Sequence, residues 1–269
     1  MSLIPNFAML GSGPTVLMLH DADTDHLGFA PQVELLASQG YRAIAWDMPG
    51  YHANPPPYGG YSLKALAATA DGLLEALTIG RAHIVGHGMG AMVAAELALR
   101  HPTRVRSLTL VAGGPALEAD SQQHWVQTRQ QLLAQCQQQA STEPVQMQRF
   151  AELLVQLQSG QQALPEGLQL ARHAITQIQP LAYGRMLEML AGPSTLAERL
   201  PHLSQRCLLV SGGQDVCMPP QRMQALADLL PQARHESLEG IGHWPQLESP
   251  DAFEGLLLDF LATQRATVH

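Results

Sequence analysis

Three positions in this sequence have the surroundings that acyl-transfer chemistry uses, and two of them also have the residue type. The stretch VGHGMGA, residues 85–91, has the glycine spacing of a sharp strand-to-helix turn that normally exposes a serine nucleophile. Gly88 stands at the centre of this turn, so no side chain is available there to attack a substrate. His243 and Asp215 each lie in a loop that follows a strand-like run. An imidazole and a carboxylate that meet in this way act as a base and the group that orients it.

Gly88 preserves the turn while it removes the reacting atom. The centre of such a turn is strained by about 1–3 kcal/mol for a non-glycine residue, and glycine adopts positive φ without that cost. Four explanations stay open. Gly88 was introduced to disable an enzyme; His243 and Asp215 activate a water that attacks directly; His243 takes a proton from a substrate that needs no nucleophile; or the chain is a catalytically inactive binding protein.

The composition limits the class of protein. The 269 residues are 46% hydrophobic and 14% charged, enough to bury the core of one α/β domain with an inserted subdomain. The net charge of -8 and the lack of a basic stretch make nucleic acid an unexpected partner. No apolar run is long enough to span a bilayer, and no signal-peptide pattern is visible, so we expect no membrane contact. The cysteines are three and irregularly spaced, which indicates packing residues in a reducing cytoplasm; they are Cys136, Cys207 and Cys217.

Strands and helices alternate around the candidate residues. Apolar runs predict strands at 15–19, 41–46, 82–85, 105–111, 207–210 and 235–238. Strands that are apolar on both faces are typical of a parallel sheet covered by helices on both sides. Residues 117–195 contain helical runs and no convincing strand, so we predict a helical insertion there. Residues 1–116 and 196–269 would then form the core domain.

The order of these pieces resembles the α/β-hydrolase fold over essentially the whole chain. The stretches that carry the resemblance are VLMLHD, AWDMPGY, HIVGHGMGAMVA, LLVSGGQDVCMPP and GIGHWPQLESP. The resemblance implies a mostly parallel sheet flanked by helices, with residues 117–195 as a cap. Members of the family usually begin with a two-stranded hairpin, whereas here only residues 6–10 precede the first parallel strand.

The resemblance also implies roles for individual residues. His243 corresponds to the general base, and Asp215 corresponds to the acid that orients it. Some members carry this acid after the preceding strand. The carboxylate near that position here is Glu118, a weaker candidate for the same role. The main-chain amides of Ala22 and Met89 correspond to an oxyanion hole.

Asp21 departs from the family, which usually has glycine at this position. A carboxylate that points into the site would oppose the charge of an oxyanion, whereas one that points outward would have no effect. The sequence leaves the direction open. We expect the substrate to be contacted by Asp21, His20 and Trp244.

The sequence therefore predicts a hydrolase of a small ester, lactone or related carbonyl compound, bound between cap and core. The resemblance implies no cofactor and no metal, and a small molecule is the expected partner; the oligomeric state is left open. One alternative is a non-hydrolytic enzyme in which His243 is a base, as in lyases and cofactor-free oxygenases of this fold. The other is an inactive ligand-binding protein.

Overall fold

A seven-stranded sheet forms the centre of the computed structural model, which describes residues 4–52, 54–57, 60–115, 117, 119–139 and 142–265. The strands are β1 (Phe7–Leu10), β2 (Thr15–Leu19), β3 (Arg42–Trp46), β4 (Ala82–His87), β5 (Val105–Val111), β6 (Arg206–Gly212) and β7 (Ala233–Leu238). They lie in the order β1-β3-β2-β4-β5-β6-β7. Only the pairing of β1 with β3 is antiparallel in this sheet. The predicted α/β class and mostly parallel sheet are confirmed.

Helices cover both faces of the sheet. They are α1 (Ala30–Ser38), α2 (Leu63–Ala76), α3 (Met89–Arg100), α4 (Ala119–Gln139), α5 (Glu143–Gln158), α6 (Pro165–Thr176), α7 (Pro180–Ala191), α8 (Leu196–Arg199), α9 (Pro220–Leu229), α10 (Pro245–Glu248) and α11 (Pro250–Arg265). No helix of the described ranges is both long enough and apolar enough to cross a bilayer.

Alternating side chains divide the core into two layers. Leu17 and Leu19 of β2 belong to the cluster that contains the buried residues of α2, α3 and α9. Val16 and Met18 belong to the cluster that contains those of α1 and α11. Because successive strand residues point to opposite faces, the two clusters lie on the two sides of the sheet. This explains why a central strand such as β2 has no polar face in the sequence.

The four helices α4 to α7 lie between β5 and β6, within the range for which a helical insertion was expected. The helix α4 packs on α5 and α7, and α5 packs on α6. The helix α6 also contacts α10 and the short 3-10 turn His26–Phe29 of the core. That these helices form a cap distinct from the core remains a prediction.

A buried carboxylate joins the insertion to the loop that follows β2. Arg129 of α4 donates to Asp23 Oδ2 from Nε at 3.0 Å and from Nη2 at 2.7 Å, and both side chains are almost fully buried. Asp23 also accepts from Gln158 Nε2 of α5 at 3.2 Å and from the Tyr183 hydroxyl of α7. The Asp23 side chain therefore contacts three helices of the insertion. Asp23 lies two residues after Asp21 in the chain.

Replacement of Arg129 by methionine should destabilise the protein strongly. The variant keeps most of the apolar stem but leaves Asp23 as a buried carboxylate without its cation, which costs about 3–5 kcal/mol. Urea denaturation followed by circular dichroism measures the change. The control is Arg149→Met on the exposed side of α5, which we expect to stay within about 0.5 kcal/mol of the unmodified protein. Equal stabilities of the two variants would contradict the role given to Asp23.

Candidate active site

The glycine-rich stretch forms the sharp turn that the sequence predicts between β4 and α3. Gly88 has φ 54° and ψ -117°, a conformation that L side chains rarely adopt. The neighbouring Gly90 packs directly on the end of β2, because a Cβ there would overlap the carbonyl group of Leu19. The turn thus presents residue 88 at the carboxyl ends of the central strands.

The carboxyl group of Asp21 occupies the space above Gly88. A Cβ built on Gly88 would overlap Asp21 Cγ and Oδ1. Asp21 Oδ1 accepts a hydrogen bond from the Met89 amide at 2.6 Å, and Oδ2 lies 3.3 Å from His243 Nε2. The side chain therefore points into the site, toward the amide that was predicted to belong to an oxyanion hole.

His243 lies between two carboxylates. Its Nδ1 is 2.9 Å from Asp215 Oδ2, while its Nε2 faces Asp21. Asp215 Oδ1 accepts from the backbone amides of Cys217 at 2.7 Å and Met218 at 3.0 Å. Asp215 therefore contacts the imidazole of His243 and also caps its own loop. That it orients a catalytic base stays a prediction.

The two carboxylates keep His243 in its imidazolium form. Burial by itself would lower the pKa of His243, but the charge of Asp215 and the hydrogen bonds to both carboxylates raise that pKa well above 6.5. Burial would likewise raise the pKa of Asp21 and of Asp215, yet their contacts with His243 hold both below the ordinary range. The pKa of His87 shifts in the direction opposite to that of His243, because burial and the charge of His243 lower it to about 4. The neutral His87 ring donates from Nε2 to the His243 carbonyl at 2.8 Å.

A cavity of about 320 Å³ opens onto this group of residues. Asp21, Gly88, Met89 and His243 form its polar end. The rest of its wall is mostly apolar and includes Trp125 and Leu190 of the insertion and Met92, Met218, Leu226 and Pro115 of the core. The cavity lies outside the carboxyl ends of the parallel strands, where ligands of open α/β sheets bind.

Cys217 is a cavity residue that the sequence analysis assigned to packing. It lines the wall beside His243, and its Sγ accepts from Arg129 Nη2 at 3.6 Å. Burial raises the pKa of the Cys217 thiol, which is therefore neutral. Its place two residues after Asp215 was the signal that could have identified it, because a tight loop brings neighbours of an acid to the same site.

Several residues expected near the substrate do not line the cavity. His20 is buried, with Nδ1 2.7 Å from the Asp21 carbonyl and Nε2 accepting from the Met48 amide at 2.9 Å, so its ring is used within the loops. Trp244 is fully buried and packs edge-on against His243, with ring centroids 5.9 Å apart. Neither side chain lines this cavity, and a contact of His20 or Trp244 with substrate stays a prediction.

Two other predicted roles stay untested by the geometry. Ala22 is buried away from the cavity wall, and its carbonyl accepts from the Tyr51 hydroxyl at 2.7 Å. The role of its amide in an oxyanion hole stays a prediction. Glu118, the rival acid, lies outside the residues that the structure describes.

Among the residues that the structure describes, two groups of side chains bring possible metal ligands within 4.8 Å of one another. One is Asp215, Cys217 and His243, and the other is Asp25, His26 and His52. In the second group His52 Nε2 is 2.6 Å from Asp25 Oδ2. His26 Nδ1 is 2.8 Å from Asp47 Oδ1. All three imidazoles are thus already paired with carboxylates, and independence from metal stays a prediction.

Comparison with known proteins agrees with this architecture. A model of the family described as "alpha/beta hydrolase fold" matches residues 14–250. The pimeloyl-[acyl-carrier protein] methyl ester esterase of Aeromonas hydrophila is 31% identical over 259 residues, covering 93% of this chain and 96% of that protein. A 2-hydroxy-6-oxononadienedioate/2-hydroxy-6-oxononatrienedioate hydrolase of Dechloromonas aromatica is 30% identical over 268 residues, with coverages of 93% and 88%. A thermophilic esterase from Thermogutta terrifontis superposes with a TM-score of 0.83 at 22% identity, covering 96% of this chain and 93% of that one, a likeness of fold.

The ion pairs of His243 should make stability depend on pH. A folded-state pKa above 6.5 stabilises the protein fully below pH 6.5 and loses that contribution as pH rises toward the folded-state value. The free energy of unfolding should therefore fall between pH 6.5 and 8.5, by up to about 1.4 kcal/mol per pH unit. Urea denaturation of His243→Gln should lack this slope, whereas His173→Gln, on the exposed face of α6, should keep it. Equal slopes in the two variants would show that His243 is not the group responsible.

Proposed function

This chain belongs to the alpha/beta hydrolase fold family, and from that premise we propose that it is a hydrolase of a small, largely apolar ester, lactone or related carbonyl compound. The observation that carries the proposal is the buried pair of His243 and Asp215, in which His243 lines the polar end of the cavity. The pair can supply and recover a proton beside a bound substrate, which is what hydrolysis of such compounds requires.

The cavity supports the substrate class. Its volume of about 320 Å³ is at the small end of ligand pockets, which suits an acyl group of a few carbons. The wall beyond the polar end is mostly apolar and includes Trp125, Leu190, Met218 and Leu226, with Gln221 and Arg222 as polar side chains among them. One relative is named for hydrolysis of a methyl ester, which agrees with a carbonyl substrate.

Two of the explanations for Gly88, direct attack by water and proton removal by His243, are less well supported. The carboxyl group of Asp21 fills the space above Gly88, which leaves no room there for a water that attacks directly. The imidazolium form of His243 has both nitrogens protonated, so it has no lone pair with which to take a substrate proton in the resting state. We therefore favour a hydrolase in which His243 first acts as a proton donor.

Hydrolysis of p-nitrophenyl acetate and butyrate tests the proposal. We expect turnover by the unmodified protein and a loss of at least about 100-fold in kcat for His243→Gln, because a positioned proton-transfer group contributes that much. His173→Gln is the matched control on the surface and should keep full activity. If the unmodified protein turns over neither these esters nor simple lactones, the hydrolase proposal fails and ligand binding becomes the explanation to test.

Restoring a serine at the turn should work only if Asp21 is removed. In Gly88→Ser the new Cβ would overlap the carboxyl group of Asp21, so we expect destabilisation of about 1–3 kcal/mol and no gain in ester hydrolysis. In Gly88→Ser combined with Asp21→Gly the space is vacant, and the serine can approach His243. The double variant should hydrolyse p-nitrophenyl butyrate at least tenfold faster than Asp21→Gly alone. A gain in Gly88→Ser alone as large as in the double variant would contradict the mutual exclusion.

A further inference from the structure

The site holds a proton donor but has no side chain at the position from which this fold attacks its substrates. We propose that Asp21, on the loop after β2, is the nucleophile of this protein and forms a covalent acyl intermediate through Oδ2. The inference rests on the proposed hydrolase function and names the residue that carries out its first bond-forming step.

The first argument is the place of the carboxyl group. Asp21 Cγ and Oδ1 occupy the space into which a side chain on Gly88 would extend. Asp21, Gly88, Met89 and His243 share one end of the cavity wall, so the carboxyl group is next to a bound substrate. A carboxylate that comes from another loop thus stands where a side chain from the turn would stand.

The second argument is the orientation of the two oxygens. Oδ1 is held by the Met89 amide at 2.6 Å, a short hydrogen bond to a charged acceptor. Oδ2 is 3.3 Å from His243 Nε2, longer than the 2.7–2.9 Å that is usual for a charged pair. Oδ2 is therefore the more loosely held oxygen, with lone pairs free to attack, while Oδ1 stays fixed.

The third argument is that the loop does not need this side chain for its own structure. The carbonyl of Asp21 accepts from the Thr24 amide at 3.3 Å and faces His20 Nδ1 at 2.7 Å. These backbone contacts hold the turn without the carboxyl group. The carboxylate is only 1% exposed and carries a large desolvation penalty, which its contacts with the Met89 amide and His243 offset inside the site.

The first chemical step uses both members of the resting ion pair. Asp21 Oδ2 bonds to the acyl carbon, and the bond between that carbon and the leaving oxygen or sulfur breaks. The leaving group takes the Nε2 proton of His243. The products are a mixed anhydride on Asp21, a neutral His243 and a free alcohol or thiol, so charge and protons balance.

The second step returns the site to its starting state. A water gives a proton to neutral His243 Nε2, and its oxygen bonds to Asp21 Cγ. The negative charge develops on Oδ1, which the Met89 amide already contacts. The bond from Cγ to Oδ2 then breaks and releases the product carboxylate. Asp21, left protonated, gives its proton to solvent, and the imidazolium–carboxylate pair is restored.

This chemistry restricts the substrates. The contact with His243 holds the pKa of Asp21 below the ordinary range, so the carboxylate is a weak base and displaces only leaving groups that are also weak bases. The substrate class is therefore an acyl compound of an enol, a phenol or a thiol. Simple alkyl esters, whose leaving alkoxide is far more basic, should react much more slowly.

The test follows oxygen from labelled water. The protein hydrolyses p-nitrophenyl acetate in H₂¹⁸O over many turnovers, and the Asp21 peptide is analysed by tandem mass spectrometry. We expect ¹⁸O in Asp21 and none in Asp23 or Asp25, which serve as internal controls in the same segment. In a single turnover with excess enzyme, the first acetate released should be unlabelled, because its new oxygen comes from Asp21. Incubation without substrate should give no label.

Two variants complete the experiment. Asp21→Asn keeps the shape of the side chain and should lower kcat at least 100-fold, while Cys217→Ala tests the neighbouring thiol. Turnover with an unlabelled Asp21, or loss of activity in Cys217→Ala but not in Asp21→Asn, would overturn the inference and leave the hydrolase proposal standing. Absence of turnover by the unmodified protein on aryl, enol and thiol esters would overturn both.

With aryl acetates, kcat/KM should fall as the leaving phenol becomes more basic. Equal rates for ethyl acetate and the aryl acetates would contradict the anhydride step.

Discussion

The imidazolium of His243, held between Asp215 and Asp21, is the interaction on which the arrangement of the site depends. Each group is buried, and each would be unfavourable in its charged form without the others. The charge of the cation offsets the desolvation cost of the two buried carboxylates, and the two carboxylates keep the imidazole protonated. The elements that supply the three residues are loops after β2, β6 and β7, so the sheet topology is what brings them together.

Much of the fold could be predicted from the sequence because the spacing of apolar residues along the chain indicates where strands and helices begin and end. The apolar runs at β2 and β5 have the predicted limits, and β4 extends only two residues beyond the prediction. The resemblance to the α/β-hydrolase fold implied the pairing of Asp215 with His243, and the topology agrees with it because both residues follow strands whose carboxyl ends meet at one edge of the sheet. The four-residue strand β1 occupies the short stretch that was noted before the first parallel strand.

The direction of side chains within the loops could not be predicted in the same way. Asp21 turns inward because Gly88, 67 positions later in the chain, has no Cβ to exclude it. His20 and Trp244 are neighbours in sequence of Asp21 and His243, yet their rings face the loops and the core rather than the cavity. Such differences depend on rotation about single backbone bonds and on packing between distant segments, which a linear pattern does not contain.

The carboxylate of Asp23 has a consequence for how the cavity can open. It accepts donors from α4, α5 and α7, and it is separated from Asp21 by one residue. A ligand can widen the entrance by displacing these helices only if the Asp23 contacts break or the loop after β2 moves with them. The second route would shift the carboxyl group above Gly88 relative to His243. Access to the cavity and the alignment of Asp21 with His243 are thus linked through the five backbone atoms that separate the α-carbons of Asp21 and Asp23.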